Sequence, residues 1–139
     1  MDVSNLLKAL DNDDNSRYLD LTHDIINEDR INILNELNIS DETIKEYNKK
    51  LENYIYIDDL NNLREGSYVR WVPLEDPDNI YLTPGGIFCE TKITDDGLVL
   101  ICKNFVKKHF EIKIEECLLF QKLSQQEQVL ISALDYLSK

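Results

Sequence analysis

Reactive residue types are plentiful in this 139-residue sequence, but none of them shows the spacing of a catalytic motif. The two histidines, His23 and His109, are more typical of structural or solvated positions than of a Ser-His-Asp site. The Gly-Gly pair at 85–86 is not followed by the Lys and Ser or Thr of a phosphate-binding loop. Adjacent carboxylates at two places are typical of turns. We therefore predict no catalytic residue and a non-enzymatic protein, with an enzyme of unknown class as an alternative.

The three cysteines, Cys89, Cys102 and Cys117, are predicted to be free thiols. A disulfide framework uses an even number of cysteines, so three at wide spacing indicate a reducing, intracellular location. Each lies among apolar neighbours, where a free cysteine packs as a small core residue. A zinc site that combines them with His109 is the alternative, although no C-x-x-C pair supports it. The prediction is no metal ion and no cofactor.

Aromatic side chains concentrate in the second half of the chain, where they could bind a partner. A surface formed by Tyr68, Arg70, Tyr81 and Phe105 is the predicted partner-binding site. Rings that converge at one open end could form a cage for a methylated cation, through cation–π attraction. In so small a segment, however, most rings fill the core. Trp71 shares its strand face with a valine, so we expect it in the core.

A basic run in the same part of the chain offers a second kind of site. Lys103, Lys107, Lys108 and His109 lie close to Phe105, and cations beside a ring can hold single-stranded nucleic acid. A solvated loop is the simpler interpretation. The chain carries 27 acidic and 15 basic residues, a formal net charge of −12, which repels phosphate. A nucleic-acid-associated factor is therefore the alternative, and a protein partner is the prediction.

Residues 1–64 are predicted to form an acidic, helical region. A short helix is expected after Ser4. The polar run at 11–16 should end it, because these side chains compete for backbone hydrogen bonds. A second helix is expected to follow and to run to about Leu37. The first helix would bury Leu6, Leu7 and Leu10.

Two helices have clear start signals. Ser40 is a good N-cap residue, and Ser124 with Glu127 matches a capping box. The helix after Ser40 carries an apolar stripe at helical spacing: Ile44, Tyr47, Leu51 and Tyr54. The helix after Ser124 carries another: Val129, Leu130, Ala133, Leu134 and Leu137. We expect this last helix to pack on the strands or on the N-terminal helices.

The segment from residue 66 to 121 is rich in Gly, Pro, β-branched and aromatic residues. Five strands are predicted: Ser67–Val72, Ile87–Ile93, Leu98–Cys102, Phe110–Ile114 and Cys117–Phe120. Asp95-Asp96-Gly97 is a hairpin signal, and prolines at three positions mark a long first loop. Closure into a barrel would remove exposed sheet edges. The predicted fold class is α+β, with N-terminal helices, a five-stranded antiparallel barrel and a C-terminal helix.

Two resemblances accompany these patterns. The order of a long loop, a tight hairpin and a short last strand over residues 66–121 resembles SH3-like and Tudor-like barrels. Between about residues 54 and 137 the chain contains, in this order, the segments SYVRW, LTPGGI, DDG, LICKN and FQKLSQQEQ. Over this range it resembles a protein family of nucleocytoplasmic large DNA viruses. It implies a viral structural or accessory protein, in the host cytoplasm or the virion, and it implies no activity.

The predicted organisation is an acidic helical region at 1–64, followed by a barrel with a C-terminal helix at 65–139. The predicted function is a protein–protein interaction module that acts through the barrel. No apolar run is long enough to span a membrane, and acidic residues near the start do not fit a signal peptide. We therefore expect an intracellular protein without a membrane partner.

Overall fold

The computed structural model describes residues 3–11 and 21–137, which form four α-helices and one sheet of six strands. The helices are α1 (Val3–Asp11), α2 (His23–Leu34), α3 (Asp41–Lys50) and α4 (Gln125–Leu137). The strands are β1 (Tyr54–Ile57), β2 (Tyr68–Pro73), β3 (Gly86–Thr94), β4 (Gly97–Lys103), β5 (His109–Lys113) and β6 (Cys117–Lys122). Short 3₁₀ helices at Leu60–Asn62 and Ile114–Glu116 precede β2 and β6.

All neighbouring strands pair antiparallel, in the order β1-β6-β2-β3-β4-β5. The predicted α+β class is therefore confirmed. The sheet has six strands where five are predicted, and it is open, because β1 and β5 form its two edges without pairing to each other. The predicted closure into a five-stranded SH3-like barrel is not confirmed.

The extra strand arises because α3 ends before its apolar stripe does. Asn53 adopts a left-handed backbone conformation with φ of 67°, which directs the chain out of the helix. Tyr54 then begins β1, and it still joins Ile44 and Leu51 in one core cluster, as the stripe predicts. Since β1 pairs with β6, the sheet combines strands from both sides of residue 64.

Side-chain caps set the start of the other N-terminal helices. The Ser40 hydroxyl accepts a hydrogen bond from the Thr43 backbone N–H at 3.2 Å, as predicted. Helix α2 begins after Thr22, which is its N-cap, and it ends at Leu34, one turn earlier than predicted. The predicted helix start after Ser16 and the break at 12–16 lie outside the described residues.

Helix α1 buries only one of the three predicted leucines, Leu6, which is partly buried against a core cluster. It begins at Val3, so Ser4 lies inside the helix rather than at its N-cap. Ala9 is fully buried against α4, while Leu7 and Leu10 are exposed. A helix this short has one narrow buried stripe, and the small side chain of Ala9 allows a close approach to α4.

Helix α4 packs on the N-terminal helices, one of the two positions predicted for it. Its capping box is present, because the Glu127 backbone N–H donates to Ser124 Oγ at 3.1 Å. In return, the Ser124 backbone N–H donates to Glu127 Oε1 at 2.7 Å. Leu130 and Ile131 of α4 then share a core cluster with α1 and α2.

The two faces of the sheet carry separate core clusters. One face packs against α2 and α3 through Leu34, Ile44, Leu51, Tyr54, Val72 and Phe120. The opposite face carries Ile57, Val69, Trp71, Phe88, Leu100, Cys102, Ile112 and Leu119. Side chains alternate along a strand, so Trp71 and Val72 point to different clusters. The core position predicted for Trp71 is confirmed, since its side chain is 7% exposed.

The open sheet is strongly curled. Trp71 on β2 and Phe110 on β5 lie three strands apart, which is roughly 14 Å in a flat sheet. Their ring centroids are nevertheless only 5.3 Å apart. A register shift between Phe88 and Glu90 of β3 is a bulge, which increases the local twist. The curl brings the loop after β2 next to the loop after β4.

Candidate partner-binding groove

A groove of about 570 Å³ lies between the β2–β3 loop and the β4–β5 loop. We name it the aromatic groove, and the side chains that define it are Trp71, Tyr81, Phe105, Val106 and Phe110. The buried Trp71 and the half-buried Phe110 form its floor, while the other three side chains are exposed at its walls. Every one of these five side chains is apolar or aromatic, so the groove is suited to an apolar group of a partner.

The β2–β3 loop is held against β2 by hydrogen bonds around Thr83. The Thr83 backbone N–H donates to the Trp71 carbonyl at 3.0 Å. The Trp71 backbone N–H donates to Thr83 Oγ1 at 3.2 Å. Arg70 Nε donates to the Thr83 carbonyl at 2.9 Å. Tyr81 is therefore presented from a fixed loop, and the Arg70 side chain serves to position that loop.

The end of this loop approaches β2 very closely. The Tyr68 hydroxyl donates to the Pro84 carbonyl at 2.9 Å. Gly85 has a φ of 92°, and a Cβ atom there would lie 2.3 Å from the Val69 carbonyl oxygen. Gly86 is similarly close to the backbone of Lys103. Gly85 therefore has a positive φ, and both glycines approach a neighbouring backbone more closely than a residue with a Cβ atom could.

The β4–β5 loop is organised by one side chain, Asn104. Its Oδ1 accepts hydrogen bonds from the backbone N–H groups of Val106 at 3.1 Å and Lys108 at 3.0 Å. Its own backbone N–H donates to the Lys108 carbonyl at 3.1 Å. The turn therefore projects Phe105 and Val106 into solvent, where they are 88% and 80% exposed.

Three of the four residues predicted to bind a partner lie at this groove. Tyr81 and Phe105 line it directly. Tyr68 lies beside it, with its ring centroid 6.4 Å from that of Phe105. Arg70 lies beneath the β2–β3 loop and its Nε is used within the fold. Two further aromatic rings of the strands, Phe88 and Phe120, are buried in the two core clusters.

The basic residues predicted for nucleic-acid binding lie on the same loop. Lys107, Lys108 and His109 are exposed after the turn, and Lys103 is half-buried at the end of β4. Lys107 has a left-handed φ of 61°, which tightens the turn. These residues therefore belong to the same loop as Phe105, which lines the aromatic groove.

A second cavity of about 330 Å³ continues the groove toward the other end of β5. It shares Trp71, Tyr81 and Phe110 with the aromatic groove. We name it the acidic extension, because its further lining includes Glu75, Glu111 and Glu116 along with Lys113. A hydrogen bond between Glu75 and Glu116 raises the pKa of the Glu116 carboxyl above its ordinary value, so these two carboxyls are close.

The cysteines are free thiols, as predicted. Burial raises the pKa of Cys102 to about 12, and burial also raises the pKa of Cys117 to about 12. Cys89 is half-buried, and its thiol faces the Ile87 carbonyl. Among residues 3–11 and 21–137, no three His, Cys, Asp or Glu side chains are placed to hold a metal ion.

Several residues of the groove were not singled out as binding residues by the sequence. The sequence indicates a solvated, basic loop at Asn104 and Val106, and it indicates an ordinary core position for Phe110. The available signal was the Phe105-Val106 pair, since two adjacent large apolar residues are unusual in a polar turn.

No protein-family model matches this chain, and no curated protein or solved structure matches it either. Within the described part of the chain, no helix is long and apolar enough to cross a membrane.

Proposed function

We propose that the protein is a non-enzymatic interaction module that binds another protein through the aromatic groove. The observation that carries this proposal is the exposure of Phe105 and Val106 on an ordered turn. Burying a side chain of this size is worth about 2 kcal/mol, so the fold leaves substantial free energy available to a partner. Single exposed apolar residues are common, but here two adjacent ones border a groove lined by further rings.

The composition of the groove supports a protein as the ligand. Protein interfaces are enriched in aromatic side chains that lie near the centre of the contact and carry most of the binding energy. Trp71, Tyr81, Phe105 and Phe110 form such a group. The loops that present them are fixed by hydrogen bonds to Thr83 and within the Asn104 turn, so little ordering entropy opposes binding.

The test compares two variants in capture of partners from a nuclease-treated extract of producing cells. Phe105→Ser with Val106→Ser removes the exposed apolar pair. Ile93→Ser is the matched control, because Ile93 is 87% exposed but lies at the β3–β4 turn, the opposite end of β4. We expect the unmodified chain and the control to capture a partner that the groove variant does not capture. Equal capture by all three proteins contradicts the proposal.

Each captured partner is then purified and titrated against the chain. Trp71 is the one tryptophan of the sequence and it lies on the floor of the groove, so its fluorescence reports occupation directly. A partner that binds in the groove changes the Trp71 emission. A partner that binds without such a change uses another surface and contradicts the proposal.

A nucleic-acid-associated factor is the second candidate, favoured by the exposed Lys107, Lys108 and His109 in the same loop as Phe105. Base stacking on a ring flanked by cations is a common mode of single-strand binding. Fluorescence anisotropy with a labelled 20-nucleotide oligothymidylate tests it at low and moderate salt. Saturable binding that weakens with salt and is lost in Lys107→Glu with Lys108→Glu would replace the protein-binding proposal.

The viral setting is part of the proposal only through the resemblance of residues 54–137 to a family of large DNA viruses. It is supported by no contact in the fold. The interaction function does not depend on it, because the groove alone carries that argument.

A further inference from the structure

Strand β5 has one free edge. In the part of the chain that the structure describes, β5 pairs with β4 alone and forms one end of the sheet. The acidic extension is lined by four consecutive residues of this strand, from Phe110 to Lys113. Consecutive residues of a strand point to opposite faces, so a cavity that touches all four runs along the edge of the strand.

The opposite wall of the cavity is formed by Pro73 at the end of β2 and by Glu75 and Tyr81 of the β2–β3 loop. The loop is anchored at its start, because the Leu74 backbone N–H donates to the Glu116 carbonyl at 2.8 Å. The free edge of β5 therefore faces a slot rather than open solvent. An extended segment can enter such a slot and add a strand to the sheet through main-chain hydrogen bonds.

The charge of the acidic extension determines which kind of segment can bind there. Glu75, Glu111 and Glu116 contribute three acidic side chains, two of them joined by the hydrogen bond between Glu75 and Glu116, and Lys113 contributes the one ammonium group of the lining, 3.9 Å from Glu116. The chain as a whole carries a formal net charge of −12. An acidic segment would be repelled both locally and at long range, whereas a basic one would be attracted.

We propose that the groove and its acidic extension bind an extended basic segment of a partner protein, which pairs with β5 as an added strand. This inference rests on the proposed function and names the chemistry of its partner. An apolar side chain of the segment lies against Trp71 and Phe110, and a lysine or arginine lies among the carboxylates of the acidic extension. The five residues of β5 match an added strand about 17 Å long.

The first experiment titrates the intact chain with synthetic peptides and follows Trp71 fluorescence. The basic probe has six residues of alternating Val and Lys. The acidic probe has Glu in place of each Lys. Two further versions of the basic probe carry N-methyl groups on every second backbone nitrogen. One version is methylated on the odd-numbered residues and the other on the even-numbered residues, so each lacks the hydrogen-bond donors of one edge of the peptide strand. We expect saturable binding of the basic probe, at least tenfold weaker binding of the acidic probe, and loss of binding by one N-methylated copy.

A matched pair of variants locates the charge effect. Glu75→Gln with Glu111→Gln removes two carboxylates from the slot, and Glu28→Gln with Glu42→Gln removes two exposed ones from α2 and α3. Both variants change the net charge equally. We expect the slot variant to weaken binding of the basic probe at least fivefold and the control to change it less than twofold. An equal effect of both variants overturns the proposal.

Three other results overturn it. The basic probe shows no saturable binding, the acidic probe binds as tightly, or both N-methylated copies bind like the unmodified peptide. Sedimentation analysis addresses a second copy of the chain as the occupant, and a stable dimer formed through β5 overturns the proposal too. Any of these outcomes leaves the proposed function to its own test, since partner capture by the Phe105→Ser, Val106→Ser variant does not require a basic strand.

Discussion

At the scale of single residues, Gly85 is the position in the groove at which a substitution is tolerated least. It combines a positive φ with an approach to the Val69 carbonyl that no Cβ atom can share. Gly97, in the β3–β4 turn, also has a positive φ, but nothing lies within 4 Å of the Cβ position there. A substitution at Gly97 therefore causes backbone strain alone, whereas a substitution at Gly85 causes backbone strain and a steric clash.

We expect Gly97→Ala to lower the free energy of unfolding by about 1 kcal/mol, the cost of a left-handed alanine. We expect Gly85→Ala to lower it by about 3 kcal/mol, because the β2–β3 loop must also move away from β2. Urea denaturation of both variants measures the difference. An equal decrease in the free energy of unfolding for both variants would mean that the β2–β3 loop moves easily. That result would contradict the fixed position described for this loop.

The thiols provide a second prediction at this scale. Since burial raises the pKa of Cys102 and Cys117 to about 12, roughly one molecule in ten thousand carries the reactive thiolate at pH 8. We expect iodoacetamide to modify Cys89 first in the folded protein and the other two only after unfolding in urea. Peptide mapping by mass spectrometry gives the order. Modification of Cys117 at the rate of Cys89 would contradict the raised pKa of the Cys117 thiol.

At the scale of elements, α4 is attached to the sheet by a buried carboxylate. Glu127 is 2% exposed, and its Oε1 accepts hydrogen bonds from the Ser124 backbone and from Arg64 Nη2 at 2.8 Å. Arg64 lies on the segment before β2, so this contact joins the start of α4 to the sheet. The sequence predicts the cap from Ser124 and Glu127, but not the ion pair with Arg64.

We expect Glu127→Ala to lower the free energy of unfolding by about 2 kcal/mol, since it removes the cap and leaves the Ser124 N–H and the Arg64 guanidinium without this acceptor. Gln125→Ala is the control, because Gln125 is exposed in the same first turn. Urea denaturation measures both. A loss for Glu127→Ala no larger than that of the control would show that α4 is held by its apolar contacts alone.

A buried arginine side chain joins α2 to α3 and β1. Arg30 is buried, and its guanidinium donates to Asn48 Oδ1 at 2.7 Å, the Tyr54 carbonyl at 2.8 Å and Asn27 Oδ1 at 2.9 Å. Desolvation by burial lowers the pKa of Arg30 from its ordinary value. The planar guanidinium reaches three acceptors at once, which a lysine could not do. No local pattern in the sequence marks this arginine as buried.

At the scale of the whole molecule, charge is the dominant property. A formal net charge of −12 on a compact chain produces self-repulsion that opposes folding. Raising the salt concentration from 20 to 300 mM shortens the screening length from about 20 Å to about 6 Å. The folded state should gain more from this screening than the expanded unfolded state does.

We therefore expect the melting temperature at pH 7.5 to rise by about 3 °C over this range of sodium chloride concentration. The rise should be smaller at pH 5, close to the isoelectric point of about 4.5, where the net charge is low. Choline chloride at equal ionic strength controls for specific ion binding. A constant or falling melting temperature at pH 7.5 would indicate that opposite charges are already paired across the surface.

Features that depend on a few neighbouring residues could be predicted from the sequence. Ser40 and the Ser124–Glu127 box start their helices because a side-chain oxygen satisfies nearby backbone N–H groups. Asp95-Asp96-Gly97 closes a hairpin because glycine accepts the positive φ that the turn requires. These interactions are local, so no knowledge of the rest of the chain is needed to predict them.

The position of the groove and the sixth strand of the sheet depend on contacts between distant parts of the chain. Trp71 and Phe110 meet because the sheet curls, and curl is the sum of twists and a bulge distributed over several strands. Tyr54 continues a helical stripe in the sequence, yet it forms an edge strand because β6 offers it hydrogen bonds from far along the chain. Such long-range contacts, rather than local preference, place the candidate site.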